Sequence, residues 1–347
     1  MNRPMHFTRW LIASLALVWA AVASAQTPDK PIKLRWGAPT ADYYVMYVAK
    51  DLGLFQKEGI EPKFYWFQSG APLLAGLKSG SLDLVTTGLA TVFALGQKIP
   101  LKLIYWDLDH AAGEGLVVSA KSDVKSYKDI AKAKKIGAPS GTCAQIALAL
   151  LAQKAGVKYS SLNVVNIAPP LYANAMLSNS IDAGIAWSPY TASLAEKGDR
   201  VVSWDADYVP EGGICPGLTG VRPKVLAQYP DLGLKLVRVH AEAMEAIKKN
   251  PQLAIDALAK YLSLSKETAK AAYERECCSR LPTIEQQLDP KSQYSLTAKR
   301  GGLAKKLFIA SAMLQQTGTI PVALTWQQID DAVDPTYLQQ YMAGSRR

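Results

Sequence analysis

Hydrophobic spacing changes period repeatedly before Pro223 and is helical after it. KLRWGAP (33–39) and EPKFYWFQ (61–68) alternate with a period of two and predict strands. Between them, ADYYVMYVAKDLGLFQKEG (41–59) has helical spacing, with Gly53 and Gly59 as stops. The alternation continues through helix 70–80, strand 82–88, helix 89–98 and strand 101–107. KIGAP (135–139) predicts a further strand and 142–156 a helix. Short strands alternating with short helices predict an α/β architecture with mainly parallel pairing. After Pro223, helices are predicted at 232–250, 251–263 and 265–277 and within 295–318.

One pattern occurs twice. LKSGSLDLV (77–85) and MLSNSIDAGI (176–185) each end a helix and enter an apolar strand through an Asp. Gly80 and Asn179 are residue types that take the left-handed position closing a helix. Two lobes built alike are therefore expected, with a ligand cleft between them. GLVVSAK (115–121) and GLTGVRP (217–223) suit the two crossings. The first lobe is then 32–115 plus the C-terminal helices (223–347), and the second 116–222.

Composition narrows the function classes. Hydrophobic residues at 49% and charged residues at 20% suit a packed globular chain and exclude a disordered one. Residues 1–25 read as an export leader: Arg3 and Arg9, an apolar run from Trp10, then Ala23-Ser24-Ala25. No Cys follows that run to carry a lipid anchor. Removal of the leader leaves 347 − 25 = 322 residues and lowers the formal charge from +10 to 10 − 2 = +8. The basic residues are spread out, so no nucleic-acid partner is expected. Cys143, Cys215, Cys277 and Cys278 form no CxxC, and neither a metal nor a cofactor is expected. A bridge between Cys143 and Cys215 is possible but not readable from sequence. After the leader only His110 and His240 remain, and the common hydrolase and dinucleotide motifs are missing. An enzyme reading would rest on Cys143 as nucleophile at a helix start, with no evident base.

The candidate chemistry lies in strand-to-helix turns. Ser140-Gly141-Thr142 opens the 142–156 helix, where free backbone N–H groups and hydroxyls suit an anion. No Lys is present, which excludes a phosphate loop of the Walker type. The alternative is simple helix capping. Ser69-Gly70 and Thr86-Thr87-Gly88 are parallel turns, and three sets of hydroxyls suit a ligand with several acceptor oxygens. Tyr43 and Trp187 stand among aromatics at strand ends and turns that can wall a pocket. Asp42, Asp107, Asp109 and Glu114 lie in comparable loops that can meet a cationic end of a ligand.

Five segments carry a resemblance: AKDLGLFQKEGIEPKF, FQSGAPLLAGLKSGSLDLVTTG, EGLVVSAKSDVKSYKDIAKAKKIGAPSGT, VVNIAPPLYANAMLSNSIDAGIAWSPYTASLAEKG and VRPKVLAQYPDL. With them the chain resembles the periplasmic solute-binding proteins of transporters for taurine, alkanesulfonates and nitrate, most of all the taurine branch. The resemblance implies a two-lobed type II binding-protein fold and a soluble, monomeric periplasmic receptor. That receptor would deliver a small anionic or zwitterionic organic ligand to an ABC transporter permease, without enzyme activity. It also implies that Ser140, Gly141 and Thr142 hold the anionic head. Ser69 and Thr87 would face it, Trp187 would wall the pocket, and Glu114 would lie near the first hinge strand. The chain departs from the branch at Cys143, Gly217 and Gln68, where relatives carry His and acids. The resemblance thus supports the anion half of the site better than the amine half, and the ligand is expected to be a sulfonate, or a larger aromatic or zwitterionic molecule. The alternatives are a receptor for a non-sulfonate ligand, a sensory receptor serving another membrane partner, and an enzyme of the pyrimidine- or thiamine-handling kind.

Overall fold

Among the described residues, ten short strands build two sheets on one plan. A computed structural model describes residues 30–209, 213–276 and 281–345; the expected leader, Cys277 and Cys278 lie outside the described residues. The strands are β1 (Ile32–Pro39), β2 (Ile60–Phe67), β3 (Leu84–Thr87), β4 (Lys102–Asp109), β5 (Gly115–Val118), β6 (Ile136–Gly137), β7 (Val164–Val165), β8 (Ala183–Ala186), β9 (Arg200–Trp204) and β10 (Pro216–Val221). The sheet orders are β2-β1-β3-β10-β4 and β7-β6-β8-β5-β9. In the first, β1 is parallel to β2 and β3, while β10 runs antiparallel to β3 and β4. In the second, β6 is parallel to β7 and β8, while β5 runs antiparallel to β8 and β9. Each sheet thus receives its one antiparallel strand directly from the last strand of the other: β4 leads into β5, and β9 into β10. These are the two crossings.

The repeated sequence is a repeated structure. Gly80 and Asn179 both take left-handed backbone, with φ of 79° and 55°. The Leu82 amide donates to Gly76 O, and the Ile181 amide to Ala175 O. The two Asp residues then cap the neighbouring parallel strand. Asp83 accepts from the Arg35 amide at 2.8 Å and from its guanidinium at 2.6 and 3.0 Å. Asp182 accepts from the Lys134 and Lys135 amides at 3.0 and 2.7 Å.

Two expectations change. The strand at 216–221 belongs to the first sheet, so the chain returns there before Pro216 and not at 222. The helix expected over 41–59 is two helices, Tyr44–Asp51 and Leu54–Lys57, because Gly53 has a φ of 69° between them.

The C-terminal part is helical as expected, with Leu232–Lys249, Gln252–Leu262, Lys266–Glu276 and Gly302–Gln316 as its main helices. It is not confined to the first sheet. Gly302–Gln316 packs on Ala90–Gly96, beside the first sheet, and on Cys143–Lys154, beside the second. Gln145 Nε2 also donates to Thr319 Oγ1 at 2.8 Å. One buried apolar core runs through both sheets and these helices, with a smaller cluster around Val117, Tyr172 and Ile181.

Candidate functional site

The turns after β2, β3 and β6 meet at one small cavity of about 30 Å³. That is room for about two waters, so a larger solute requires the turns to part. Gly70, Thr87, Gly88, Leu89 and Ala90 line it from the first sheet, and Thr142, Cys143 and Trp187 from the second. Tyr43 and His110 complete its wall, and Cys215 lies at the second crossing. The lack of side chains lets the turns approach. A Cβ on Gly70 would lie 2.7 Å from Thr87 Oγ1, and one on Gly88 would lie 2.5 Å from Cys143 Sγ. Gly141 has a φ of 70°, and a Cβ there would meet the Phe93 ring at 2.1 Å.

Cys143 and Cys215 form a disulfide with Cα atoms 5.4 Å apart. It ties the start of helix Cys143–Lys154 to the residue preceding β10. Cys143 is therefore not a free thiol, which removes the nucleophile an enzyme reading requires. One Glu114 carboxyl oxygen and the two sulfurs all lie within 4.8 Å of one another. A thiolate is the form that ligates metal, and the bridged sulfurs are not thiolates.

The expected site residues separate into two groups. Tyr43, Thr87, Thr142 and Trp187 line the cavity. Ser69 is buried immediately before Gly70 but does not line it. Ser140 and Gly141 do not line it either: their amides donate to Asn166 Oδ1 at 3.0 Å and Gln145 Oε1 at 2.7 Å. The Thr142 hydroxyl donates to Pro139 O at 2.6 Å and makes no cap bond to its helix. Thr86 is structural, bonded to Trp36 Nε1 and Thr219 Oγ1. Gln68 is exposed.

The acids sit behind the wall. Asp42 Oδ1 lies 2.9 Å from His110 Nδ1, and both side chains are buried. Asp109 caps the short helix His110–Ala112 through the Ala111 amide. Burial pushes the Asp107 carboxyl up to about 7, with Asp42 adding and His110 opposing. Burial, then the charge of Asp205, holds Glu114 well above the usual carboxylate range, and neither of its oxygens has a protein hydrogen bond. For His110, burial lowers the imidazole pKa. The charge and hydrogen bond of Asp42, backed by Asp107 and Asp109, outweigh that and raise it overall. His240 lies 3.8 Å from Asp107, but burial pushes it down to about 3, so it is neutral. Besides His110 Nδ1, which faces Asp42, two buried polar atoms on lining residues have no protein hydrogen-bond partner: His110 Nε2 and Trp187 Nε1.

A family model described as NMT1/THI5 like matches residues 40–254. The chain belongs to the NMT1/THI5-like family. Within reach of this family, it is 28% identical over 262 residues to a Brucella abortus protein named as a binding protein, covering 74% of this chain and 79% of that one. It is 27% identical over 231 residues to a Bacillus subtilis protein named as an aliphatic sulfonates-binding protein, covering 65% and 68%. It is 25% identical over 247 residues to the taurine-binding periplasmic protein of Escherichia coli, covering 70% and 73%. The fold matches the alkanesulfonate-binding protein SsuA of Xanthomonas axonopodis pv. citri bound to MOPS, with a TM-score of 0.73 at 18% identity over 88% of this chain and 99% of that one. It also matches the nitrate-binding protein NrtA of Synechocystis PCC 6803, with a TM-score of 0.71 at 13% identity over 91% and 89%. The NMT1/THI5-like chain thus has the two-lobed periplasmic binding-protein fold.

Two parts of the site carried no usable signal in the sequence. The disulfide partners are 72 positions apart, and spacing does not specify pairing. His110 follows Asp107 and Asp109, a hint of a buried charged cluster, but its contact with Asp42 exists only in the fold.

Proposed function

We propose that this chain is the exported substrate-binding component of an ABC-type importer, and that it takes a small organic anion, with a sulfonate as first candidate. The observation that carries this reading is the small cavity between the two sheets, where His110 Nε2 and Trp187 Nε1 are buried with no protein partner. Thr87 adds a hydroxyl to these groups, and the start of helix Cys143–Lys154 adds backbone amides. Donors gathered in a desolvated space suit an anion with several acceptor oxygens. The relatives named for aliphatic sulfonates and taurine support the sulfonate class.

In this reading the segments around β1–β4 and β5–β9 are lobes that close on the ligand about the two crossings. Differential affinity for the closed form shifts the equilibrium, and that form docks on a membrane permease. The leader is cut after Ala25, and the mature chain is a soluble periplasmic monomer without enzyme activity. Ser140 and Gly141 shape the turn, while Thr142, Thr87, Tyr43 and Trp187 face the ligand. Asp42 acts through His110. Glu114, protonated beside the disulfide, does not anchor an amine.

A thermal-shift screen against taurine, butane-1-sulfonate, an aromatic sulfonate, nitrate and acetate tests the assignment. At about 100 times its dissociation constant a ligand stabilises by ~2.7 kcal/mol. A shift with at least one sulfonate is expected. A shift confined to nitrate or acetate would remove the sulfonate assignment.

A further inference from the structure

We propose that His110 supplies the positive charge that receives the anionic head of the ligand in this cavity. The inference rests on the anion-receptor reading but not on the anion being a sulfonate. Among the described residues lining the cavity there is no Lys or Arg, and His110 is the one side chain able to carry positive charge. Its ring is fixed on three sides. Nδ1 lies 2.9 Å from Asp42 Oδ1, the Tyr43 ring meets it edge-on at 4.9 Å, and Gly217 lies against Nε2. A Cβ on Gly217 would come within 2.7 Å of Nε2, so a glycine there leaves the imidazole its place. Nε2 remains buried with no protein partner.

The two states of this ring act oppositely on an anion. Charged, it keeps one proton toward Asp42 and donates the other from Nε2. Neutral, with the proton held on Nδ1 by Asp42, Nε2 becomes an acceptor and repels the oxygens of the ligand. The charged groups packed around the ring come from several elements. Asp42 follows β1, Asp107 and Asp109 end β4, and Glu114 and Asp205 lie at the crossings. From the C-terminal helices, Arg275 donates to Ala112 O, Lys306 donates to Gly213 O, and neutral His240 lies by Asp107. Asp42, and behind it Asp107 and Asp109, favour the charged ring. Its pKa is raised, so charge, and with it affinity, is present at low pH and lost as pH rises through that raised value.

Calorimetric titration with butane-1-sulfonate, or with whichever anion shifts the protein in the screen, tests this between pH 5.5 and 9. A sulfonate stays ionised throughout. Wild-type affinity should be level at low pH and then fall, approaching about tenfold per pH unit. His110→Gln should bind at least about tenfold more weakly at pH 6 and show no such fall. Asp42→Asn should move the fall to lower pH, which keeps the test open if the Gln variant folds poorly. Imidazole 15N spectra of the free protein should show His110 doubly protonated at pH 6 and singly protonated at pH 9. Equal wild-type affinity at pH 6 and 9 overturns this inference while leaving the receptor reading intact, as does a ring neutral at pH 6. A wild type that binds no anion in the panel overturns both.

Discussion

Thr87 and Thr142 stand at equivalent strand-to-helix turns, yet their hydroxyls act differently. The Thr142 hydroxyl is committed to Pro139 O at 2.6 Å. Thr142→Val should therefore lower stability by about 1 kcal/mol, measured by urea unfolding, with a smaller effect on ligand affinity. Thr87 is buried at the cavity wall and carries no such commitment. Thr87→Val should weaken anion binding by about 0.5–1.5 kcal/mol in calorimetry and leave the melting temperature almost unchanged. The opposite ranking would exchange the two roles. Local chemistry made these turns legible in the sequence, because a hydroxyl beside a glycine at a strand end is a local signal. The destination of each hydroxyl was not legible, since it depends on which carbonyl or cavity the fold brings near. The same limit applies to His110, whose partner Asp42 lies on another element.

Elements were more legible than side chains because each carries its own period. β1, β2, β3 and β4 were all readable, and so were the helices after Pro223. β7 was not, being two residues long, nor was β9, RVVSW, whose apolar positions do not alternate. Of the two crossing strands, β10 was not assigned to its sheet: it pairs with β3 and β4 through long-range contacts. The duplicated helix-to-strand unit predicted a shared structural device, and its Asp provides one. At Asp83, burial raises the carboxyl pKa, but the Arg35 guanidinium and amide outweigh it, and the net shift is downward. A depressed native pKa stabilises above the unfolded value near 4 and ceases to do so as pH falls through the native value. Asp83→Asn should therefore be less stable than wild type in urea at pH 7, and the gap should narrow at pH 3. A gap independent of pH would mean that only the shape of the side chain matters.

At the scale of the whole molecule, three kinds of connection hold the sheets in register. The two crossings run side by side, with the His110 amide donating to Cys215 O at 2.9 Å. Helix Gly302–Gln316 packs against helices on both sides. The Cys143–Cys215 bond joins the second-sheet helix that opens onto the cavity to the strand that returns to the first sheet. Both of its ends lie at the cavity, so in the proposed receptor an opening of the cleft would pivot close to that bond. Closing a loop over a separation of 72 residues should stabilise by about 4 kcal/mol in the chain-entropy description. The double variant Cys143→Ser/Cys215→Ser should thus unfold at lower urea concentration. If the bond also restricts opening, small-angle scattering should show a larger difference in radius of gyration between free and ligand-bound states in the double variant than in wild type. Lower stability with an unchanged scattering difference would make the bond a staple of the fold alone; unchanged stability in the same variant would mean that the two thiols are not joined in the protein.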